Sequence, residues 1–363
     1  MTPANPIPAQ STRRGRALCI SARGWLYVSS GYGIYRSEDE GATWILDCRV
    51  PTSLTRESVQ GLPLAARLLR LYVQALQVLD DGTRVAVVRD GIYRAAPGEV
   101  EMRRTWSVTR GSRPINISQD GNRLLFGEYG GREMDSVGVR LYCSTDAGRS
   151  FEICYEFPKG DVHHIHNVVV DPYADHYWVL AGDHGRTPGI AALSKDGRHL
   201  DWVQRGSQMV RACSVLCRPD CLLYGSDSEM EQNYVVRLDR KRGLVERLAP
   251  LEGSSLYAAD YGSVGMISTA VEPSRTNTKR ECCVYASADG ARWDRVVTMS
   301  KDRWHPTYFQ FGLVVLPYVH RRDSAVGLYS GQAVRTWHDM TTVFSLSVAR
   351  DSAAELSPTS AWG

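Results

Sequence analysis

Residues 141–151 read LYCSTDAGRSF, with Ser144, Asp146, Gly148, Ser150 and Phe151 spaced as S-x-D-x-G-x-S-F. Between two strands such a run folds a tight turn. The Asp side chain accepts backbone N–H groups, the Gly takes a conformation closed to other residues, and the aromatic residue packs beneath. A near-copy, SEDEGATW, occupies residues 37–44. Both are scaffold signals and carry no chemistry of their own.

Outward from this turn the chain repeats. Each unit is a short apolar strand, a loop of variable length, then a second strand with a Tyr or its equivalent: WLYVSSG then YGIYRSEDEG, TRVAVVR then DGIYRAAPGE, YWVLAGDHG then GIAALSKDG. Anchored on Tyr35, Tyr93, Tyr142, Ala192, Val236, Tyr285 and Tyr329, the steps are 58, 49, 50, 44, 49 and 44 residues. Strand-rich units of this size, with many Gly and aromatic residues, predict an all-β, seven-bladed β-propeller. The expected layout is a flexible N-terminal segment over residues 1–15, one propeller over 16–350, and a peripheral tail over 351–363. The best helical candidate is Leu62 to Val78, although its apolar spacing could equally belong to a strand and an insertion.

The turns resemble the boxes of Asp-box propellers, the sialidase-like or BNR-repeat superfamily. SADGARW at residues 287–293 is a shorter version and SKDGRHLDW at 194–202 a distorted one. The resemblance implies that the boxes join strands three and four of a blade. The opposite face then carries the crossings between blades and the loops between strands two and three, and its residues are the functional candidates. The superfamily includes glycosidases, lyases, glycan binders and non-catalytic scaffolds. A true sialidase would also need three arginines, a Tyr–Glu pair and an Asp acid. Arg16, Arg113 and Arg211 each precede a first strand, but no Asp acid loop is recognisable and Tyr261 has no evident Glu partner, so sialidase activity is not expected.

Composition narrows the classes. Lys plus Arg number 43 against 40 Asp plus Glu, so no nucleic-acid footprint is visible. No run is long enough to span a membrane, and the first sixteen residues lack the apolar core of a secretory signal. The nine cysteines show no CxxC spacing and read as reduced core thiols, which favours the cytoplasm.

Five of the nine histidines lie between His163 and His184. On an extended segment His164 and His166 share one face. Four readings follow. A polysaccharide lyase acting beside a uronic acid would use His164 or His166 as base and Tyr129 or His184 as acid, with Arg186 and Arg211 clamping the carboxylate. A glycoside hydrolase would pair Glu128 with Asp183 or Asp227. A divalent metal, Zn or Mn, could sit on His164, His166 and His184, although the leading reading requires no cofactor. A binding propeller for glycan or protein would use the same face without chemistry. Arg113, Arg132, Asp227 and Asn233 complete the candidate substrate contacts. The expected partner is an acidic oligosaccharide or polysaccharide, and the oligomeric state is left open.

Overall fold

The computed structural model describes residues 7–53, 59, 62–131, 134, 136–347 and 349. They form an all-β, propeller-like arrangement in which five sheets repeat one plan, an antiparallel meander of four strands in chain order. The third sheet runs Ser118–Asp120, Arg123–Gly127, Val139–Ser144 and Glu152–Phe157. The fourth runs Ile165–Val170, His176–Ala181, Gly189–Ser194 and Leu200–Arg205. The first sheet gains a fifth strand, Tyr318–Val319, parallel to its inner strand Arg16–Ile20.

The remaining strands make one eight-stranded sheet. In it the meander Ser254–Asp260, Gly265–Val271, Glu281–Ser287, Asp294–Ser300 meets a second group, Gly312–Val315, Val326–Gln332, Met340–Ser345 and Ala9–Arg14. The two groups join through the short pairing of Ala270 with Leu313 and Val271 with Gly312.

Burial follows position in the sheet. Arg16–Ile20, Arg84–Val88 and Gly265–Val271 are buried throughout, whereas the outer strand Arg103–Ser107 is half-buried to exposed. Strands sandwiched between neighbouring sheets have two apolar faces, so they read as continuous apolar runs. The core accordingly lies between sheets: Trp178 and Leu180 of the fourth pack with Leu222 and Tyr224 of the fifth. Gly127 shows how closely adjacent sheets approach, because a Cβ there would stand 2.3 Å from the Ile165 Cβ.

The Ser-Asp-Gly turns form as their chemistry requires. Ser144 Oγ donates to Asp146 Oδ1 at 2.7 Å, Gly148 N donates to Ser144 Oγ at 2.8 Å, and Ser150 donates to Asp146 from both N and Oγ. Gly148 holds a φ of 77°. The Ser37 turn repeats this pattern, with Gly41 N on Ser37 Oγ and Thr43 N on Asp39 Oδ1, both at 2.8 Å. Each turn joins the third strand of its sheet to the fourth.

Two expectations change. The boundary at residue 16 cuts through the sheet: Ala9–Arg14 pairs antiparallel with Met340–Ser345, so the segment expected to be flexible brings the two ends of the chain into one sheet. The helix expected from Leu62 to Val78 is confined to Pro63–Leu68, and Ala75–Val78 is the inner strand of the second sheet. Residues 351–363 lie outside the described residues. All nine cysteines are free thiols. Among the described residues no helix is long and apolar enough to cross a membrane.

Candidate functional site

The crossing from the third sheet to the fourth places His163, His164 and His166 at the entry of Ile165–Val170, all buried. His164 Nδ1 donates to the Gly130 carbonyl at 2.8 Å and His166 Nδ1 to the Ala212 carbonyl at 3.0 Å. Carbonyl oxygens only accept, so each ring carries a proton on Nδ1 and turns its Nε2 inward. The two Nε2 atoms stand 2.9 Å apart. Asp183 meets both, with Oδ1 3.0 Å from His166 Nε2 and Oδ2 3.2 Å from His164 Nε2.

Asp183 comes from the loop after His176–Ala181, where its carbonyl accepts from Gln208 Nε2 at 2.9 Å. Arg211 follows the short 3-10 turn Gln208–Val210 and sits between two carboxylates: Nη2 is 3.1 Å from Asp183 Oδ1 and Nε 3.4 Å from Asp227 Oδ2. Cys213 Sγ donates to Asp227 Oδ2 at 3.2 Å. The Tyr129 ring lies 4.2 Å from the His164 ring and 6.2 Å from that of His166. One register rule supplies much of the site. Tyr129, Asp183 and Asp227 are each the second residue past the second strand of their sheet, after Gly127, Ala181 and Gly225, and Glu272 is the first past Val271.

The electrostatics follow from burial and pairing. Burial alone would raise Asp183, but its contacts with the His164 and His166 rings outweigh it and hold the carboxyl far below its usual range. Burial lowers His164, with Asp183 opposing. Burial raises Asp227, and burial reinforced by Asp227 pushes Glu272 up to about 7. Burial and the Asp183 charge raise the Tyr129 phenol. Among the described residues four buried atoms around the cluster have no hydrogen-bond partner: Arg211 Nε and Nη1, Asp227 Oδ1 and Asn167 Oδ1.

Tyr129, His164, His166, Asp183, Arg211 and Asp227 therefore converge. Several other candidates do not join them. His184 is exposed, its side chain 55% accessible, with Nδ1 4.0 Å from Glu229 Oε1, and Arg186 is exposed in the same loop. Glu128 is committed to structure: Arg110 binds it through Nε at 2.7 Å and also through Nη2, and Arg140 N and Tyr142 Oη donate to it. Asn233 organises a turn, accepting from Ser226 Oγ and Ser228 N and donating to the Ser228 carbonyl. Arg132 lies outside the described residues. His164 and His166, expected to offer a base to substrate, are only 2% and 3% exposed and direct Nε2 into the cluster.

Arg113 belongs to a second basic group. It donates to Tyr72 Oη at 2.7 Å, while Arg16 stacks on the same ring with Cζ 5.2 Å from its centroid. Burial opposes the effect, but Arg113 and Arg16 draw the Tyr72 phenol below its usual range. Tyr261, weighed against the sialidase pattern, is a buried core residue that donates to the Leu328 carbonyl.

Sequence reasoning missed Glu272 and Cys213. Glu272, the first residue past its second strand, stands one position short of the register rule just given. Cys213 is indistinguishable in sequence from the other core thiols.

No protein-family description matches the chain, and no curated protein matches it. Likeness is found among solved structures. One is a chain in the crystal structure of the mitotic checkpoint complex, at 9% identity with a TM-score of 0.59, covering 95% of this chain and 94% of that one. Another is the extracellular domain of a one-component system, BT4673, of B. thetaiotaomicron, at 10% identity and a TM-score of 0.53. The match to it covers 96% of this chain and 42% of that one. At such identities the likeness shows a propeller-type fold and nothing of function.

Proposed function

We propose that the protein is a seven-bladed propeller of the Asp-box kind and a carbohydrate-active enzyme, a polysaccharide lyase acting on an acidic glycan. For the blade count, the eight-stranded sheet is read as a sixth blade, Ser254–Ser300, joined to a seventh made of three late strands and Ala9–Arg14. For the Asp-box assignment, the support is the recurring Ser-Asp-Gly hydrogen-bond pattern on the turns at Ser37 and Ser144.

The observation that carries the lyase reading is the tilted ring contact of Tyr129 with His164, centroids 4.2 Å apart, in a cluster where buried Arg211 Nη1 has no hydrogen-bond partner among the described residues. β-Elimination needs a proton taken from the carbon beside a carboxylate and one given to the departing oxygen, with the carboxylate charge neutralised. In this reading Tyr129 exchanges the proton with substrate, the imidazole pair against it relays that proton, and Arg211 Nη1 takes the carboxylate. Hydrolysis by paired carboxylates has less support, since Arg110 occupies Glu128 and Arg211 already separates Asp183 from Asp227.

The test is incubation with a panel of acidic oligosaccharides, following new reducing ends together with the ultraviolet absorbance of an unsaturated uronate. Both signals rise for a lyase, and reducing ends alone for a hydrolase. Saturable binding without product selects the non-catalytic glycan-binding propeller instead.

A further inference from the structure

Hydrogen-bond directions inside the cluster do not close with protein atoms alone. Both imidazoles spend their Nδ1 proton on a carbonyl, Gly130 for His164 and Ala212 for His166. Their Nε2 lone pairs then face one another at 2.9 Å and face the two oxygens of Asp183 at 3.0 and 3.2 Å. Four acceptors thus converge on one point. One added proton on His166 would satisfy two of the three contacts and leave His164 Nε2 against Asp183 Oδ2. Two would place two imidazolium ions in contact in a buried site beside the Arg211 guanidinium.

A cation satisfies all of them at once. Donor atoms about 2.1 Å from one ion lie about 3 Å apart at octahedral right angles and about 3.4 Å apart at tetrahedral ones, and the observed spacings of 2.9 to 3.2 Å are nearer the first. Two carboxylates, Asp183 at 3.1 Å and Asp227 at 3.4 Å, flank the one guanidinium of Arg211. The outer contacts are those that orient metal ligands. Each imidazole gives its far N–H to a carbonyl, and Arg211 Nη2 holds Asp183 at 3.1 Å.

We propose that His164 Nε2, His166 Nε2 and the Asp183 carboxylate form a binding site for one divalent transition-metal ion, Zn²⁺ or Mn²⁺. A ring nitrogen of His163 lies within 4.8 Å of the ligand atoms of His164 and Asp183 and is the nearest further donor. His184, the third ligand expected from sequence, is replaced by Asp183. The site goes beyond the glycan reading and does not depend on it.

The test uses the full chain without substrate. Protein freed of metal by chelation and dialysis is titrated with Zn²⁺ and with Mn²⁺ by calorimetry, and bound metal is counted by mass spectrometry. The expected result is one ion per chain, with affinity weakened at least about tenfold in H166Q and in D183N and unchanged in H184Q. Pulsed EPR of the Mn²⁺-loaded wild type gives a readout that survives misfolding of a variant, and imidazole nitrogen couplings are expected there. The proposal is overturned if the wild type binds no stoichiometric ion, if H184Q loses the ion as H166Q does, or if the bound Mn²⁺ shows no nitrogen coupling.

Discussion

His164 and His166, two residues apart on one strand entry, bring their Nε2 atoms within 2.9 Å of each other because each Nδ1 is anchored to a carbonyl of a different neighbouring sheet. Gly130 follows the second strand of the third sheet, and Ala212 precedes the inner strand of the fifth. The imidazole pair is therefore a seam across three sheets, and its geometry is set by how those sheets pack.

Above that seam, Tyr129 is the side chain at the edge of the cluster. Removal of its hydroxyl in Y129F keeps the ring contact with His164 and takes away only the proton. Turnover on a responsive acidic glycan is expected to fall about 10²- to 10⁴-fold, with the melting temperature unchanged. Equal turnover in Y129F and wild type would remove Tyr129 from the chemistry.

Arg211 is a different case, because its guanidinium lies between two carboxylates, with Asp183 at 3.1 Å and Asp227 at 3.4 Å. In R211M these charges lose their partner in a buried site, a loss of about 3–5 kcal/mol in typical cases. Denaturant unfolding should show that drop. A variant as stable as the wild type would mean that water already screens the pair.

The supporting turns predict the opposite pattern. Asp146 accepts from Ser144 Oγ, Arg149 N and Ser150 N and Oγ, so D146A strands several donors. A stability loss of about 1–3 kcal/mol is expected. Metal content and turnover should stay at wild-type levels, because the turn joins strands three and four while the site is built from sheet crossings and the loops after second strands. A matching loss of metal would contradict that separation.

These contrasts show which parts of the molecule were legible in sequence. The Ser-Asp-Gly turns are local, since every donor and acceptor lies within a few residues, and the blades announce themselves by repetition. The shared face of His164 and His166 follows from strand alternation. Pairing of Ala9–Arg14 with Met340–Ser345 is not local, and no pattern in AQSTRR reports a partner more than 300 residues away. The GDHGR loop misled for a conformational reason. Gly182 takes a φ of 82° and Gly185 one of 61°, so Asp183 turns inward while His184 and Arg186 point to solvent. Glu128 misled through a partner that sequence does not pair with it, Arg110.

Glu272 gives a pH prediction with a definite sign. Its carboxyl is pushed up to about 7 by burial and by Asp227, with Glu229 adding to the rise and Ser254 and Arg211 opposing it. The fold thus holds this proton more tightly than the unfolded chain does, and the neutral form is the one that folding favours. Stability from this group is fully present below the ordinary carboxylate range and is lost as pH rises toward 7. The loss across that window is about 2–3 kcal/mol for an isolated group. Glutamine keeps the shape and removes the titration, so E272Q should be more stable than wild type at pH about 8 and equal to it near pH 4. Chemical denaturation of both proteins at each pH reads the difference directly, and a gap that stays constant with pH would show that Glu272 does not titrate in this range.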